Sequence, residues 1–410
     1  MRVLFITHDG LTDHIGQSQV LPYLYGLVSE GFEISIVSAE KPRNAELCHV
    51  LASQLESAGI DWHYVSYHNK PPLISTFFDL CRIYFLARTV VCKSTVGLVH
   101  CRGFLPMFVG LIVKRLFGIP IIFDFRDFWA DRRLISSPYK FVYRFFKKRE
   151  GWMIRSADHI VTLTEKARNI LQQAYLSGHN LENSKRFTVI PTCADFSLFD
   201  TRGISDAERR ATRKDLGISS EDIVLGYLGT IHPDYMPEAI FRTFFALRSI
   251  HPNAKFLLVS LTPSNQIMRY AGVHGFDKRD VIVVPATRLD VPRYIAAFDF
   301  SVVFIRPDIS TAGVSPTKLN ELFACNVPVI ANAGVGDLDN IIKLDVNDSV
   351  LVQDFSQVSL VRAINVILTL IQSPARKGRE SSIKYSLVEG VRRYGEVYSL
   401  FVQPKKNFKN

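Results

Sequence analysis

The sequence predicts an α/β protein built on two doubly wound parallel sheets, and three observations predict it. Short apolar runs bounded by Gly, Asp or Pro alternate with helical periodicities in both halves of the chain, as strands covered on both faces require. At 410 residues the chain is too long for one ordinary core and fits two domains. The charged stretch Asp200 to Asp215 reads as a linker with the first helix after it. A helical segment over 381–402 and a basic tail over 403–410 are expected to close the chain.

Composition narrows the partners. Apolar residues make up 47% and charged residues 21%, as in a globular chain. Lys and Arg total 49 against 39 Asp and Glu, and the net charge of +10 favours nucleotides, phosphates or an anionic membrane surface. No zinc knuckle, RNP-like strand or helix-turn-helix pattern occurs, so nucleic acid is not an expected partner. The six cysteines (48, 81, 92, 101, 193 and 325) lack metal or C-x-x-C spacing and read as reduced thiols. The N-terminus opens on a strand, Arg2 to Thr7, with no signal peptide, so the expected location is cytoplasmic, with peripheral membrane contact open. Phe104 to Phe123 is interrupted by Lys114, Arg115, Gly118 and Pro120, and reads as a helix and a strand rather than a span.

In the first half, strands are expected at Val3–Ile6, Ile34–Ser38, Trp62–Val65, Gly97–His100, Ile119–Phe123, His159–Thr162 and Phe187–Ile190. Ligands of such sheets bind at the carboxyl ends of the strands. His8-Asp9, His100-Cys101-Arg102, Asp124 to Asp127 and Thr164-Glu165 therefore share one rim. The first rim loop runs through Gly16, Gln17, Ser18 and Gln19 into a helix, Val20 to Gly31, without a G-x-G-x-x-G fingerprint. His100 is either a structural hydrogen-bonder or an active-site residue. Phe123 to Arg132 alternates aromatic and charged residues. It is either a self-compensating salt-bridge cluster or a sugar contact in which Asp124, Arg126 and Trp129 meet the acceptor. Tyr139 to Arg155 interleaves aromatics with cations, and Lys147, Lys148 and Arg149 fit either an anionic bilayer or a solvated basic face.

The second half repeats the alternation, with strands expected at Ile223–Gly229, Lys255–Ser260, Val281–Val284, Phe300–Ile305, Val327–Ala331 and Ser349–Val352. Ser315 is placed to cap a helix and Pro316 to occupy its first position. Leu319, Leu322 and Phe323 form its apolar stripe, Lys318 and Glu321 share the next face, and Asn326 is a left-handed stop. A helix start at a sheet rim suits an anion, and Lys318 adds a charge for phosphate. Glu321, one turn in, can accept hydrogen bonds from sugar or ribose hydroxyls. The segment from Ser381 to Val402 has a helical apolar period.

The run Ser315-Pro316-Thr317-Lys318-Leu319-Asn320-Glu321 resembles the donor-binding segment of retaining GT-B glycosyltransferases of family 4. Gly16 to Leu24, Ala157 to Glu165, Val189 to Phe199 and Gly334 to Asp337 resemble further segments of that family in the same order. The resemblance implies two Rossmann-like domains facing a cleft, over 1–195 and 196–380, with the C-terminal helix over 381–402 crossing back to the first domain. It places the donor diphosphate at Ser315, Thr317, Lys318 and Leu319, the ribose at Glu321, and Gly16, Gln17, Gly229, Thr230 and His232 beside the donor. A family histidine at a strand end corresponds to His100 or Arg102, and Asp127 joins them as a catalytic candidate. Two positions depart from the pattern: Gly313 stands where an upstream glutamate is common, and Thr230 and His232 replace a basic pair. The implied reaction moves a sugar from a nucleoside diphosphate to a hydroxyl of a glycan or polyprenyl-diphosphate-linked acceptor, without metal or cofactor. O-antigen, capsule or exopolysaccharide synthesis is the implied setting. The alternatives are a nucleotide-sugar epimerase of the same architecture and a non-catalytic sugar-nucleotide-binding scaffold.

Overall fold

The computed structural model describes residues 1–176, 186–346, 348–373 and 377–402. The tail expected over 403–410 lies outside them. The chain forms two compact units, one of Met1–Pro191 with Leu387–Asn410 and one of Thr192–Ser386. The first crossing falls at 191/192 instead of 195/196. Residues 192–194 belong with the second unit because Ala194 pairs with Ser386 and donates its N–H to the Tyr385 carbonyl.

Unit 1 holds strands β1 (Arg2–Thr7), β2 (Glu33–Glu40), β3 (Ile60–Ser66), β4 (Val96–Arg102), β5 (Ile121–Phe125), β6 (His159–Thr162) and β7 (Phe187–Val189) in one sheet of order β3-β2-β1-β4-β5-β6-β7. Every pairing is parallel. Runs such as Val3 to Ile6 and Ile121 to Phe125 are buried throughout because helices cover both faces. β5 begins two residues later than expected, since Pro120 has no N–H to give a ladder. The returning helix is Leu387–Ser399, six residues short of the expected start, because Ile383–Tyr385 form a separate 3₁₀ turn. It packs on Leu21–Ser29 through Gly26, whose missing side chain leaves room for Val391.

Unit 2 holds β8 (Val224–Leu228), β9 (Lys255–Val259), β10 (Val281–Val284), β11 (Phe300–Val303), β12 (Val329–Asn332) and β13 (Val350–Val352) in the order β10-β9-β8-β11-β12-β13. One core layer gathers Phe298, Leu319, Leu322 and Phe323 on one face, and another gathers Phe241, Phe244 and Phe256 on the other. In each unit the strand order reverses once, beside β1/β4 and beside β8/β11. Such a switch point opens a crevice at the strand ends.

Candidate functional site

At the unit 2 switch point, β8 ends in Tyr227 and Leu228, and Gly229, the next residue, takes φ 109°. A β-carbon on Gly229 would stand 3.1 Å from the Lys318 ammonium, so glycine serves both the backbone turn and the approach. Lys318 Nζ lies 3.3 Å from the Tyr227 hydroxyl. It also sits 4.7 Å from the Tyr227 ring centroid and 4.1 Å from that of Tyr235. Tyr235 reaches it from the 3₁₀ turn Pro233–Tyr235. His232 caps that turn, its Nδ1 accepting from the Asp234 N–H at 3.3 Å, and the Thr230 carbonyl accepts from the Tyr227 hydroxyl at 2.9 Å. Thr230 and His232 therefore shape the loop that carries the aromatic walls.

Lys318 makes no ion pair among the described residues. Burial lowers its pKa to about 8, against the pull of the nearby Glu321. At neutral pH the group still carries its proton. A cation drawn from water and held in no ion pair is suited to receive an anion.

The helix that presents Lys318 is Thr317–Ala324, with Pro316 as its N-cap at ψ 115°. Ser315, expected to cap, does not: its Oγ accepts from the Thr192 N–H at 3.2 Å, and Asn320 donates to the Thr192 carbonyl. Leu319, expected near the donor, is core at 1% exposure, as the apolar stripe with Leu322 and Phe323 requires. Thr317 is half-buried at the helix start. Glu321 is 8% exposed, and its Oε1 accepts from Arg288 at 3.1 Å. Burial raises the Glu321 pKa, and the Arg288 and Lys318 charges oppose that rise. Gly313 closes the buried 3₁₀ turn Ser310–Gly313, where the Asp308 carboxylate accepts from Ser310 and Thr311 N–H groups at 2.7 and 3.1 Å. The Gly336 N–H donates to the Thr311 carbonyl and braces this turn from the next loop.

Unit 1 presents a different rim. His100 is 2% exposed, with Nδ1 2.7 Å from the Tyr398 hydroxyl and Nε2 3.3 Å from Asp124. Asp124, 2% exposed, also pairs with Arg126 at 3.4 Å and accepts from the Tyr394 hydroxyl at 3.2 Å. Burial alone would raise the Asp124 pKa, but Arg126 and the His100 hydrogen bond outweigh it and hold it below the carboxylate range. Burial lowers the pKa of His100 and keeps it neutral at pH 7. Arg102, 6% exposed, is ion-paired with Asp9 and donates to Gln19 at 3.3 Å. The space left among these side chains is about 20 Å³, room for little more than one water.

These contacts bear on the residues singled out in the sequence. Tyr394 and Tyr398 of the helix Leu387–Ser399 engage His100 and Asp124, and Asp124 and Arg126 pair as the self-compensating cluster would. Asp127 pairs with Arg132 at 2.6 Å, and burial raises its pKa. Trp129 is no open sugar platform: it stacks on Phe104 at 5.2 Å and meets Tyr143 and Phe146 edge-on. Lys147 is no surface cation, since Asp131 at 2.6 Å and the fully buried Glu150 at 2.7 Å hold it. Lys148 and Arg149 are exposed. Gly16 is buried because a side chain would strike Gly10 and Leu11, and exposed Gln17 donates to the Leu11 carbonyl at 2.9 Å.

Residues 17–182 match the family described as the glycosyl transferase 4-like domain. A D-inositol 3-phosphate glycosyltransferase of Stackebrandtia nassauensis is 23% identical over 232 residues, 54% of this chain and 48% of the relative. The alignment thus spans about half of that relative's length. Anabaena HepE, solved in complex with UDP and glucose, superposes with a TM-score of 0.68 at 16% identity, covering 97% of this chain and 99% of that one. Sucrose-phosphate synthase of Thermosynechococcus elongatus gives a TM-score of 0.71 at 15% identity, with 98% of both chains covered. The likeness to these solved structures shows the fold, two parallel-sheet Rossmann-like units of GT-B architecture.

Three site residues escaped the sequence. Arg288 follows β10 at a rim position, rests over the Phe199 ring at 5.2 Å and holds Glu321. Tyr227 and Tyr235 wall Lys318 from a strand end and a loop tip. The only signal for them was their placement after strands at the carboxyl rim.

Proposed function

We propose that the protein transfers a sugar from a nucleoside diphosphate donor to a hydroxyl of a glycan or lipid-linked acceptor, with retention, in assembly of a bacterial surface polysaccharide. The observation that carries this reading is the unpaired Lys318 ammonium at the unit 2 switch point. It supplies a preorganised charge where a departing diphosphate gathers negative charge. Glu321, one helical turn on, takes the ribose hydroxyls in exchange for Arg288. The sugar C1–O bond breaks with its electron pair leaving on the phosphate. The acceptor oxygen bonds to C1 on the same face, and its proton passes to the departing phosphate. The protein's part in this step is charge, position and exclusion of water.

For the acceptor, the exposed face of the helix Lys140–Ser156 supports contact with an anionic membrane. Phe141 is 72% and Phe145 50% exposed, and Lys140, Arg144, Lys148 and Arg149 stand on the same open side. Arg149 lies 4.9 Å from the Phe145 ring centroid. Among the described residues no helix is long and apolar enough to cross a membrane, so the contact is peripheral.

Thermal shifts with UDP, GDP, ADP, CMP and their sugars, on wild type and Glu321→Ala, test the donor site. A ligand at a hundred times its Kd stabilises the folded state by about 2.7 kcal/mol. One diphosphate shifting the wild type, with the shift lost in the variant, is the expected result. Equal shifts in both proteins would remove Glu321 from the site.

A further inference from the structure

Unit 1 carries a second set of polar side chains where the loops after β1 and β3 meet the helix Ile74–Lys93. Asp79 of that helix is fully buried, and both its carboxylate oxygens are spent on one residue. Oδ2 accepts from the His68 backbone N–H at 2.7 Å, and Oδ1 stands 2.6 Å from His68 Nδ1. Nδ1 therefore carries the hydrogen, and the ring is fixed with Nε2 on its far side. The His68 side chain is 42% exposed. A buried carboxylate given over to holding one half-exposed imidazole aims that imidazole at something.

Two neighbours lack partners. Ser75 lies one turn before Asp79 on the same helix, is 5% exposed, and its hydroxyl makes no hydrogen bond. His8, whose ring meets Tyr67 edge-on at 5.5 Å, lies near enough to feel the Asp79 charge, and its Nε2 is buried without a partner. Burial lowers the His8 pKa and leaves it neutral at pH 7. Buried polar atoms are nearly always satisfied, so two orphans beside one oriented imidazole mark hydrogen bonds reserved for a ligand. An aromatic wall stands next to them: Phe78 is 52% exposed and meets the His68 ring at 5.6 Å.

We propose that His8, His68 and Ser75 form the acceptor's carbohydrate-binding corner, taking hydroxyls of a sugar ring that rests against Phe78. An apolar wall with a few convergent neutral donors and acceptors suits a hydroxyl-rich neutral ring. The proposal rests on the glycosyl-transfer reading and supplies the acceptor contacts that Asp124, Arg126 and Trp129 do not.

The test is ring ¹H–¹⁵N NMR of the histidines in the full chain, assigned with His8→Gln and His68→Gln, as methyl glycosides of glucose, galactose, mannose and N-acetylglucosamine are added to saturation. The expected result is that at least one glycoside moves both the His8 and His68 rings. Ser75→Val, checked for an unchanged Tm, should weaken its binding about fivefold, as the loss of one hydrogen bond does. Titration of UDP in parallel separates the two readings. If UDP binds and no glycoside moves either ring, or if Ser75→Val binds as wild type, the corner is not the acceptor site and the transferase reading stands without it. If glycosides move both rings while no nucleotide binds, the corner stands as a sugar site and the transferase reading falls.

Discussion

The two rims of this molecule are built from the same kinds of residue at equivalent points of the same topology, yet they differ in what is left over. At the unit 1 switch point, His100, Arg102, Asp124 and Arg126 pair with one another, with Asp9 and with tyrosines of the returning helix. At the unit 2 switch point, Lys318 is walled by two tyrosine rings and makes no ion pair among the described residues, with Glu321 near but held by Arg288. A charge cluster that satisfies itself is explained by the fold, and a desolvated charge outside any ion pair is a candidate for binding. Perturbed pKa values occur at both rims, so the perturbation alone does not tell them apart.

The sharpest way to break this contrast is in unit 1. Asp124→Ala leaves Arg126 and His100 buried around a missing carboxylate, and loss of one partner of a buried pair costs about 3–5 kcal/mol. Denaturant unfolding should show that loss, while donor binding to whatever remains folded stays unchanged. A variant of wild-type stability with lost activity would make the unit 1 rim catalytic after all. A smaller effect is expected on the helix Lys140–Ser156. Lys148→Glu and Arg149→Glu should each weaken pelleting with anionic liposomes about fivefold, as loss of about 1 kcal/mol per surface cation implies. Lys147→Met should destabilise the fold instead, by stranding Asp131 and Glu150. Equal pelleting by wild type and both Glu variants would remove the membrane from the account.

Strand positions were legible because covered parallel strands announce themselves as apolar runs, and Val281–Val284 and His159–Thr162 fall at the residues expected. The Asn326 stop was legible too, as a residue that tolerates φ 55°. What the sequence hides is cover. A strand end shows where the His100 side chain begins, but its partner Tyr398 lies 298 residues away. Lys318 and Glu321 were legible from a local helical pattern. Their walls and latch were not, since Tyr227 is 91 residues from Lys318 and Arg288 33 from Glu321. Asp79 sits inside a helix with no motif around it, so the oriented His68 was invisible before the loops were folded together.

The central claim is that Lys318 is an anion receptor kept out of any ion pair, and its titration tests it. Burial depresses the Lys318 pKa, so the empty protein holds that proton less tightly than the unfolded chain and gains stability as pH rises from about 8 toward the ordinary value of 10.5. A bound diphosphate favours the charged form and reverses this preference. Calorimetric titration of the preferred nucleoside diphosphate should therefore show wild-type affinity falling by up to about tenfold per pH unit above pH 8. Lys318→Met should bind about ten- to a hundredfold more weakly at neutral pH, with that fall absent. Equal affinity and an identical pH profile in the two proteins would contradict the account.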